Sequence, residues 1–120
     1  MRNLKTNFTD IMDQQDAQAY AEKRLTPLEK FIKKDKESIK WNLRLTRDEH
    51  GSTAYSFTAE ASIRSSQKNF GATAQGDSLY EAIDQLKDEL QKKMSRFKDK
   101  RISLLKKGGR EMKKLLRGGN

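Results

Sequence analysis

The sequence is poor in the residue types that build redox, metal and nucleophilic sites. Its 120 residues include no cysteine and one histidine, so the chain can form no disulfide, no thiolate zinc site and no cysteine nucleophile. His50 stands beside Gly51 in a predicted turn, and a zinc site needs three or four ligands. We therefore interpret His50 as a solvated turn residue and predict neither a metal nor a cofactor.

Apolar residues are also scarce, at 33% of the chain against 36% charged residues. No stretch approaches the roughly 18 to 20 apolar residues of a membrane span, and the first residues lack the apolar core of a signal peptide. No glycine loop for phosphate and no nucleophile motif is present. We expect a cytoplasmic protein that is not an enzyme, takes no small-molecule substrate and does not associate with a membrane.

The basic charge is concentrated at one end of the sequence. Residues 1–91 hold 14 Lys and Arg against 15 Asp and Glu, a net charge of −1, whereas residues 92–120 hold 12 against 2, a net charge of +10. Phosphate neutralisation needs clustered cations. This distribution favours a protein that meets a polyanion in one orientation.

Apolar residues that alternate with polar ones predict four strands. The segments are a short edge strand at Asn3–Thr9 and three strands around Ile39–Leu45, Tyr55–Ile63 and Phe70–Ala74. Their aromatic residues share the parity of the aliphatic ones, so we interpret them as core residues rather than as platforms for base stacking. These aromatic residues are Trp41, Tyr55, Phe57 and Phe70.

A spacing of three and four residues predicts two amphipathic helices. The first begins after Asp13 as a cap, and its apolar face continues to Ile32. Pro27 should either kink this helix or restart it with Thr26 as a new N-cap. The second begins at the capping box Ser78–Glu81. Its apolar seam comprises Leu79, Ile83, Leu86, Leu90, Met94 and Phe97.

The predicted order is β-α-β-β-β-α, an α+β fold with a four-stranded sheet and two helices packed on one face. The first helix should cross over to a parallel strand. We expect residues 1–101 to form the domain and residues 102–120 to form a basic C-terminal extension, partly helical or flexible. The last helix is longer than the strands, so its final turns should overhang the body.

A row of cations follows the last helix. Lys92, Arg96 and Lys100 are four residues apart and lie side by side. The other cations of this group are Lys93, Arg101, Lys106 and Lys107. Cations also complement the dipole of a helix C-terminus, but this row is longer than one turn. It therefore favours a phosphate-bearing ligand, recognised through its backbone and shape with little base readout.

Three segments resemble the ribosome hibernation-promoting factor and ribosome-associated inhibitor family. They are AYAEKRLTPLEKF (Ala19–Phe31), the strand IKWNLRLTRDE and DSLYEAIDQLKDELQKKMSRFKDKR (Asp77–Arg101). The acidic-x-[Leu/Met]-Tyr-x-Ala-Ile-[Asp/Asn] element that starts the last helix is the most specific of these likenesses. The family's fold has the predicted element order.

The resemblance implies an RNA-binding factor that occupies the small ribosomal subunit. Its place there is the decoding and mRNA channel, where it contacts 16S-type rRNA and neighbouring ribosomal proteins and inhibits translation under stress or in stationary phase. The basic positions of the family match Lys92, Arg96 and Lys100 on the last helix, and Arg24 and Lys30 on the first. Glu89 departs from the pattern, since relatives often carry a cation there.

The second, dimerising domain of long family members has no counterpart in this chain. We therefore expect a protein that is monomeric off the ribosome, and the resemblance does not imply pairing of whole ribosomes. It also assigns no role to the tail.

Two alternatives remain open at this stage. Helices beside a three-stranded meander also describe a double-stranded RNA-binding module that is not tied to the ribosome. The tail, with apolar residues from Ile102 to Leu116 among its cations, could form a basic amphipathic anchor at a membrane surface.

Overall fold

The computed structural model describes residues 3–32, 39–48, 56–65 and 68–106, and beyond residue 97 only the helical backbone is described. Four strands form one sheet in the order β1-β2-β3-β4. They are β1 (Leu4–Thr9), β2 (Lys40–Arg47), β3 (Phe57–Arg64) and β4 (Phe70–Gly76). The helices are α1 (Gln14–Leu25), a 3₁₀ helix (Thr26–Phe31) and α2 (Leu79–Lys106).

The strand pairing follows from the connections. β1 is parallel to β2, because α1 and the 3₁₀ helix return the chain to the end of the sheet from which β1 starts. The shorter connections make β2–β3 and β3–β4 antiparallel. The predicted β-α-β-β-β-α order and α+β class are thereby confirmed.

One face of the sheet forms the core with both helices. Trp41, Leu43 and Leu45 of β2 are at most 2% exposed, while their sequence neighbours Lys40, Asn42 and Arg44 are exposed. Phe70 is buried and Phe57 packs against the same core, so three of the four strand aromatics are core residues as predicted. The fourth, Tyr55, lies outside the described residues, as does His50.

The first helix ends at Leu25, before Pro27. The chain restarts there as a 3₁₀ helix with Pro27 in its first turn, since proline lacks an N–H and suits the start of a helix. Thr26 is not the N-cap: its backbone is helical, and its hydroxyl donates back to the Glu22 carbonyl. Asp13 occupies the N-cap of α1 but makes no side-chain capping bond, which corrects the expected role of its carboxylate.

The second helix begins at the predicted capping box, of which the serine half is formed. Ser78 Oγ accepts a hydrogen bond from the Glu81 N–H at 3.1 Å, which satisfies one free donor of the first turn. Ile83, Leu86, Leu90 and Met94 are fully buried, with Leu79 and Phe97 partly buried at the two ends of the seam. No described helix is long and apolar enough to cross a membrane.

The second helix also extends past the sheet. Phe97 packs edge-on against Phe70, the first residue of β4, with ring centroids 5.7 Å apart. Nine more residues follow to Lys106, which adds about 13 Å of helix beyond this contact. The helix therefore runs through the predicted domain boundary at residue 101, and the division into two regions stays a prediction.

Candidate nucleic-acid interface

Eight of the thirteen Lys and Arg side chains that the structure describes lie toward one end of the sheet, which we call the basic end. β2 begins there, β3 ends there and β4 begins there. α2 also reaches this end, as shown by the contact of Phe97 with Phe70, the first residue of β4. The described cations at this end are Lys5, Lys30, Lys40, Arg64, Lys68, Lys92, Lys93 and Arg96.

The opposite end, which we call the acidic end, holds carboxylates. Asp10, Asp13 and Asp77 surround one surface cavity of about 300 Å³ together with Arg47. Asp48 lies at the end of the same strand as Arg47 and accepts a hydrogen bond from Thr58 Oγ1 at 2.9 Å. The fold therefore has opposite charges at its two ends, and the field of such a molecule turns its basic end toward a polyanion.

Three predicted site residues, Lys92, Lys93 and Arg96, lie on one flank of α2. They follow Glu89 by three, four and seven positions, so they share its side of the helix. Glu89 lines a groove with Thr73 and other residues of β4. The row therefore lies beside the open edge of β4, away from α1.

The cations of this row differ in what they contact. Lys92 Nζ is 3.6 Å from Glu89 Oε1, and its side chain is 66% exposed. Such an exposed pair contributes little to stability and exchanges readily for another anion. Lys93 donates to the backbone carbonyl of Gly71 in β4. Arg96 is exposed.

The predicted site residues of the first helical segment lie on the other flank of α2. Arg24 Nε is 2.9 Å from Asp84 Oδ1, and this oxygen also accepts the Tyr20 hydroxyl at 2.6 Å. That hydrogen bond raises the pKa of Tyr20 above its ordinary value, with burial adding to the effect. Lys30 Nζ lies 5.2 Å from the centre of the Phe31 ring. Arg24 and Lys30 thus do not join the row of Lys92 and Arg96.

The remaining predicted site residues lie at or past the end of the described side chains. Lys100, Arg101 and Lys106 belong to the overhanging helical backbone of α2, and Lys107 lies outside the described residues. The backbone extends the line of the row beyond the sheet, as its spacing predicts.

The sequence prediction missed four cations at the basic end: Lys5, Lys40, Arg64 and Lys68. The alternation of polar and apolar residues shows which side chains of a strand face outward. It does not show which strand ends lie next to each other in the sheet. The register places Lys40 directly opposite Arg64. Lys68 Nζ is 5.3 Å from the Phe97 ring and 5.8 Å from the Phe70 ring, so it joins the sheet to α2.

Metal chemistry receives no positive support from the described part of the chain. Within residues 3–32, 39–48, 56–65 and 68–97, no three His, Asp or Glu side chains converge on a possible metal site. The described surface at the basic end is instead cationic, with a helix that extends past the sheet.

The fold is shared with solved structures, including the following two. The Thermus thermophilus Protein Y N-terminal domain is 21% identical with a TM-score of 0.59, covering 79% of this chain and 98% of its own. A ribosomal subunit interface protein from Coxiella burnetii is 15% identical with a TM-score of 0.62, covering 81% and 98%. No curated protein matches the sequence at a significant level.

The sequence profile described as Sigma 54 modulation protein / S30EA ribosomal protein matches residues 6–102. This span contains every strand and helix except the first two residues of β1 and the last four residues of α2. It also includes the three segments that resemble the hibernation factors. The chain therefore belongs to the Sigma 54 modulation protein / S30EA ribosomal protein family, and the predicted resemblance is confirmed.

Proposed function

We propose that this protein binds the rRNA of the small ribosomal subunit at the decoding and mRNA channel and inhibits translation under stress or in stationary phase. The observation that supports this most directly is the exposed row of Lys92, Lys93 and Arg96 at the basic end of a member of this family. The description of the family as an S30EA ribosomal protein and the name of one structural neighbour, a ribosomal subunit interface protein, agree with a ribosomal partner.

The physical basis of binding is the release of counterions from RNA phosphates. Each cation that neutralises a phosphate releases one condensed ion, so affinity depends steeply on salt. Lys92 and Arg96 are exposed, and replacing the Glu89 contact of Lys92 by a phosphate costs little because the pair is solvated. The buried strand aromatics leave stacking a small role.

In this proposal the protein acts by occupying space rather than by catalysis. The overhanging part of α2 extends about 13 Å past the contact between Phe97 and Phe70. Its sequence supplies the cations Lys100, Arg101 and Lys106 for contact with rRNA, and Lys107 is the next residue of the sequence. The protein works in the cytoplasm, without a small-molecule substrate, and is monomeric until it meets the ribosome. Messenger RNA and the tRNA anticodon stems cannot enter the channel while it is bound.

The test replaces two row cations and two matched cations elsewhere. Lys92→Ala/Arg96→Ala changes the row, and Lys23→Ala/Arg47→Ala removes the same two side-chain types from exposed positions on α1 and at the acidic end. Cosedimentation with purified small subunits is measured between 50 and 200 mM salt. We expect the row variant to bind about tenfold more weakly with a shallower salt dependence, and the control to bind as wild type.

Competition and translation assays decide between this function and its alternatives. We expect small subunits to be preferred over any RNA duplex, tRNA bound with messenger to displace the protein, and cell-free translation to fall as protein is added. Equal affinity for a plain duplex would indicate a general double-stranded RNA binder. Flotation with anionic vesicles in the absence of ribosome binding would indicate a membrane anchor, and either result would overturn the proposal.

A further inference from the structure

The face of the sheet that no described helix covers is polar and cationic. Its described charged side chains are the cations Lys5, Lys40, Arg44 and Arg64 and the carboxylates Glu60 and Asp48, which sum to a net charge of +2. Asp48 lies at the acidic end, where it accepts a hydrogen bond from Thr58 on this face. Arg44 and Glu60 are paired across β2 and β3 at 3.5 Å. This leaves three cations, Lys5, Lys40 and Arg64, together at the basic end.

The register brings two of these cations directly together. Lys40 on β2 is the cross-strand partner of Arg64 on β3, and both side chains are exposed on the same face. Like charges opposite each other destabilise a sheet. Lys5 pairs with Asn42, two residues along β2 from Lys40, so it lies diagonally beside this pair. An anion bound among the three side chains would relieve the repulsion.

One cation of α2 reaches the edge of this outer face. Lys93 donates to the Gly71 carbonyl on the edge strand and lines a shallow groove of about 480 Å³ on the outer face. The paired Arg44 and Glu60 line the same groove. Lys68 stands at the same edge beside Phe70 and Phe97. Cations therefore surround the basic end on two sides.

We propose that the outer face of the sheet is a second RNA-binding surface. In it Lys5, Lys40 and Arg64 hold the phosphate backbone of an RNA segment other than the one that contacts the row of α2. This inference rests on the proposed function, because that function identifies the bound polyanion as RNA. The described outer face presents no aromatic or aliphatic side chain larger than alanine, so it offers phosphate and ribose contacts rather than base stacking or insertion into lipid.

The first test makes the same substitution, arginine to threonine, at the basic end and at the acidic end of the sheet. Arg64→Thr alters the outer face, while Arg47→Thr makes the same change at the exposed end of β2 among the carboxylates. A second variant, Lys40→Thr/Arg64→Thr, removes the like-charged pair. Threonine suits strands, and the repulsion disappears, so we expect the thermal midpoint of the double variant to equal or exceed that of wild type.

Binding is measured with small subunits, with a single-stranded 20-nucleotide RNA and with anionic vesicles across a salt series. We expect the double variant to bind the small subunits and the 20-nucleotide RNA about tenfold more weakly than wild type. The slope of log affinity against log salt concentration should be smaller in magnitude by roughly 1.5. Arg47→Thr should bind as wild type. Unchanged affinity and slope for both RNAs would overturn the inference. So would a loss confined to anionic vesicles with RNA binding intact.

The second test locates the RNA on each side of the protein. Because the chain has no cysteine, an iron chelate can be attached at a single introduced thiol. Ser62→Cys places it on the outer face opposite Gly71, and Ser95→Cys places it on α2 beside Arg96. We expect hydroxyl radicals from the two positions to cleave different rRNA segments of the bound subunit. Cleavage from Ser95→Cys alone would contradict the second surface.

These outcomes separate the inference from the proposed function. If wild-type protein fails to bind small subunits, the proposed function fails, and the 20-nucleotide RNA still decides whether the outer face binds a phosphate backbone. If wild type binds small subunits and the double variant binds equally well, the function stands and the second surface is refuted.

Discussion

Arg24 and Asp84 form an ion pair across the contact between α1 and α2, with 2.9 Å between Nε and Oδ1. The same carboxylate oxygen accepts the Tyr20 hydroxyl, and the Tyr20 ring packs edge-on against Tyr80 at 4.7 Å. One carboxylate on α2 thus binds two side chains of α1. Arg24 is both a predicted RNA contact and part of this internal link.

Replacing Asp84 should separate these two roles of Arg24. Asp84→Asn keeps the size of the side chain but removes its charge, so we expect a loss of about 0.5 to 1 kcal/mol in unfolding free energy, because both partners are 39–40% exposed and water screens them. Affinity for small subunits should not fall, because the substitution removes a surface negative charge that would repel RNA phosphates. Denaturant unfolding and cosedimentation measure the two effects. Weaker subunit binding by this variant would mean that Asp84 positions Arg24 for RNA.

The hydrogen bond of Tyr20 should make stability depend on pH in the alkaline range. Asp84 raises the pKa of Tyr20 above its ordinary value of 10.0, so the folded state holds this proton more tightly than the unfolded chain does. The contribution is complete below pH 10 and is lost as the pH rises through the raised pKa. Tyr20→Phe should cost about 1 kcal/mol at pH 8.

The variant and wild type should converge at higher pH. Comparing their unfolding free energies at pH 8 and above pH 10 isolates Tyr20, because every other titrating group is common to both proteins. A difference that stays constant across this range would contradict the assigned cause of the shift.

Gly76 should not accept a side chain. A Cβ at this position would lie 2.6 Å from the backbone nitrogen of Ala82 and 3.0 Å from the carbonyl carbon of Glu81, so the end of β4 and the first turn of α2 would have to separate. We expect Gly76→Ala to destabilise the fold by about 2 kcal/mol or more, as overpacking does. Gly71→Ala is the matched control, since its Cβ would meet only the Ala61 carbonyl at 3.7 Å. Thermal unfolding compares them, and equal midpoints would disprove the close approach.

Thr6 should be improved by an apolar replacement. Its Oγ1 is buried on the core side of β1 and has no hydrogen-bond partner, and an unpaired buried hydroxyl costs free energy. Thr6→Val has nearly the same shape and leaves no polar atom unpaired. We expect unfolding free energy to rise by about 1 kcal/mol, which corresponds to a midpoint roughly 4 to 8 °C higher. A lower midpoint would show that the hydroxyl has a partner after all.

The fold was predictable because each segment has one clear period. Leu43 and Leu45 alternate with exposed residues, and both are buried. Leu86 and Leu90 repeat every helical turn, and both are fully buried. Such patterns give the type of each element and its inner face. They do not show whether Pro27 produces a kink or a 3₁₀ helix, because that depends on how Leu28 and Ile32 pack in the core.

The candidate site was predictable only in part. The spacing of Lys92 and Arg96 was enough to place them side by side, since one helix determines both positions. Arg24 lies on the other flank because the packing of α1 against α2 brings it to Asp84. The meeting of Lys40 with Arg64 depends on the strand register, which in turn depends on a turn between β2 and β3 that the sequence does not define to the residue.

Lys93 has a consequence for how the protein behaves at high concentration. β4 has a sheet neighbour on one side only, and such an edge can recruit a strand from another molecule and seed aggregates. The ammonium group of Lys93 already occupies the Gly71 carbonyl, so an incoming strand would have to displace a charged group before it could pair. This single lysine should therefore hinder pairing between the β4 edges of two copies of the chain.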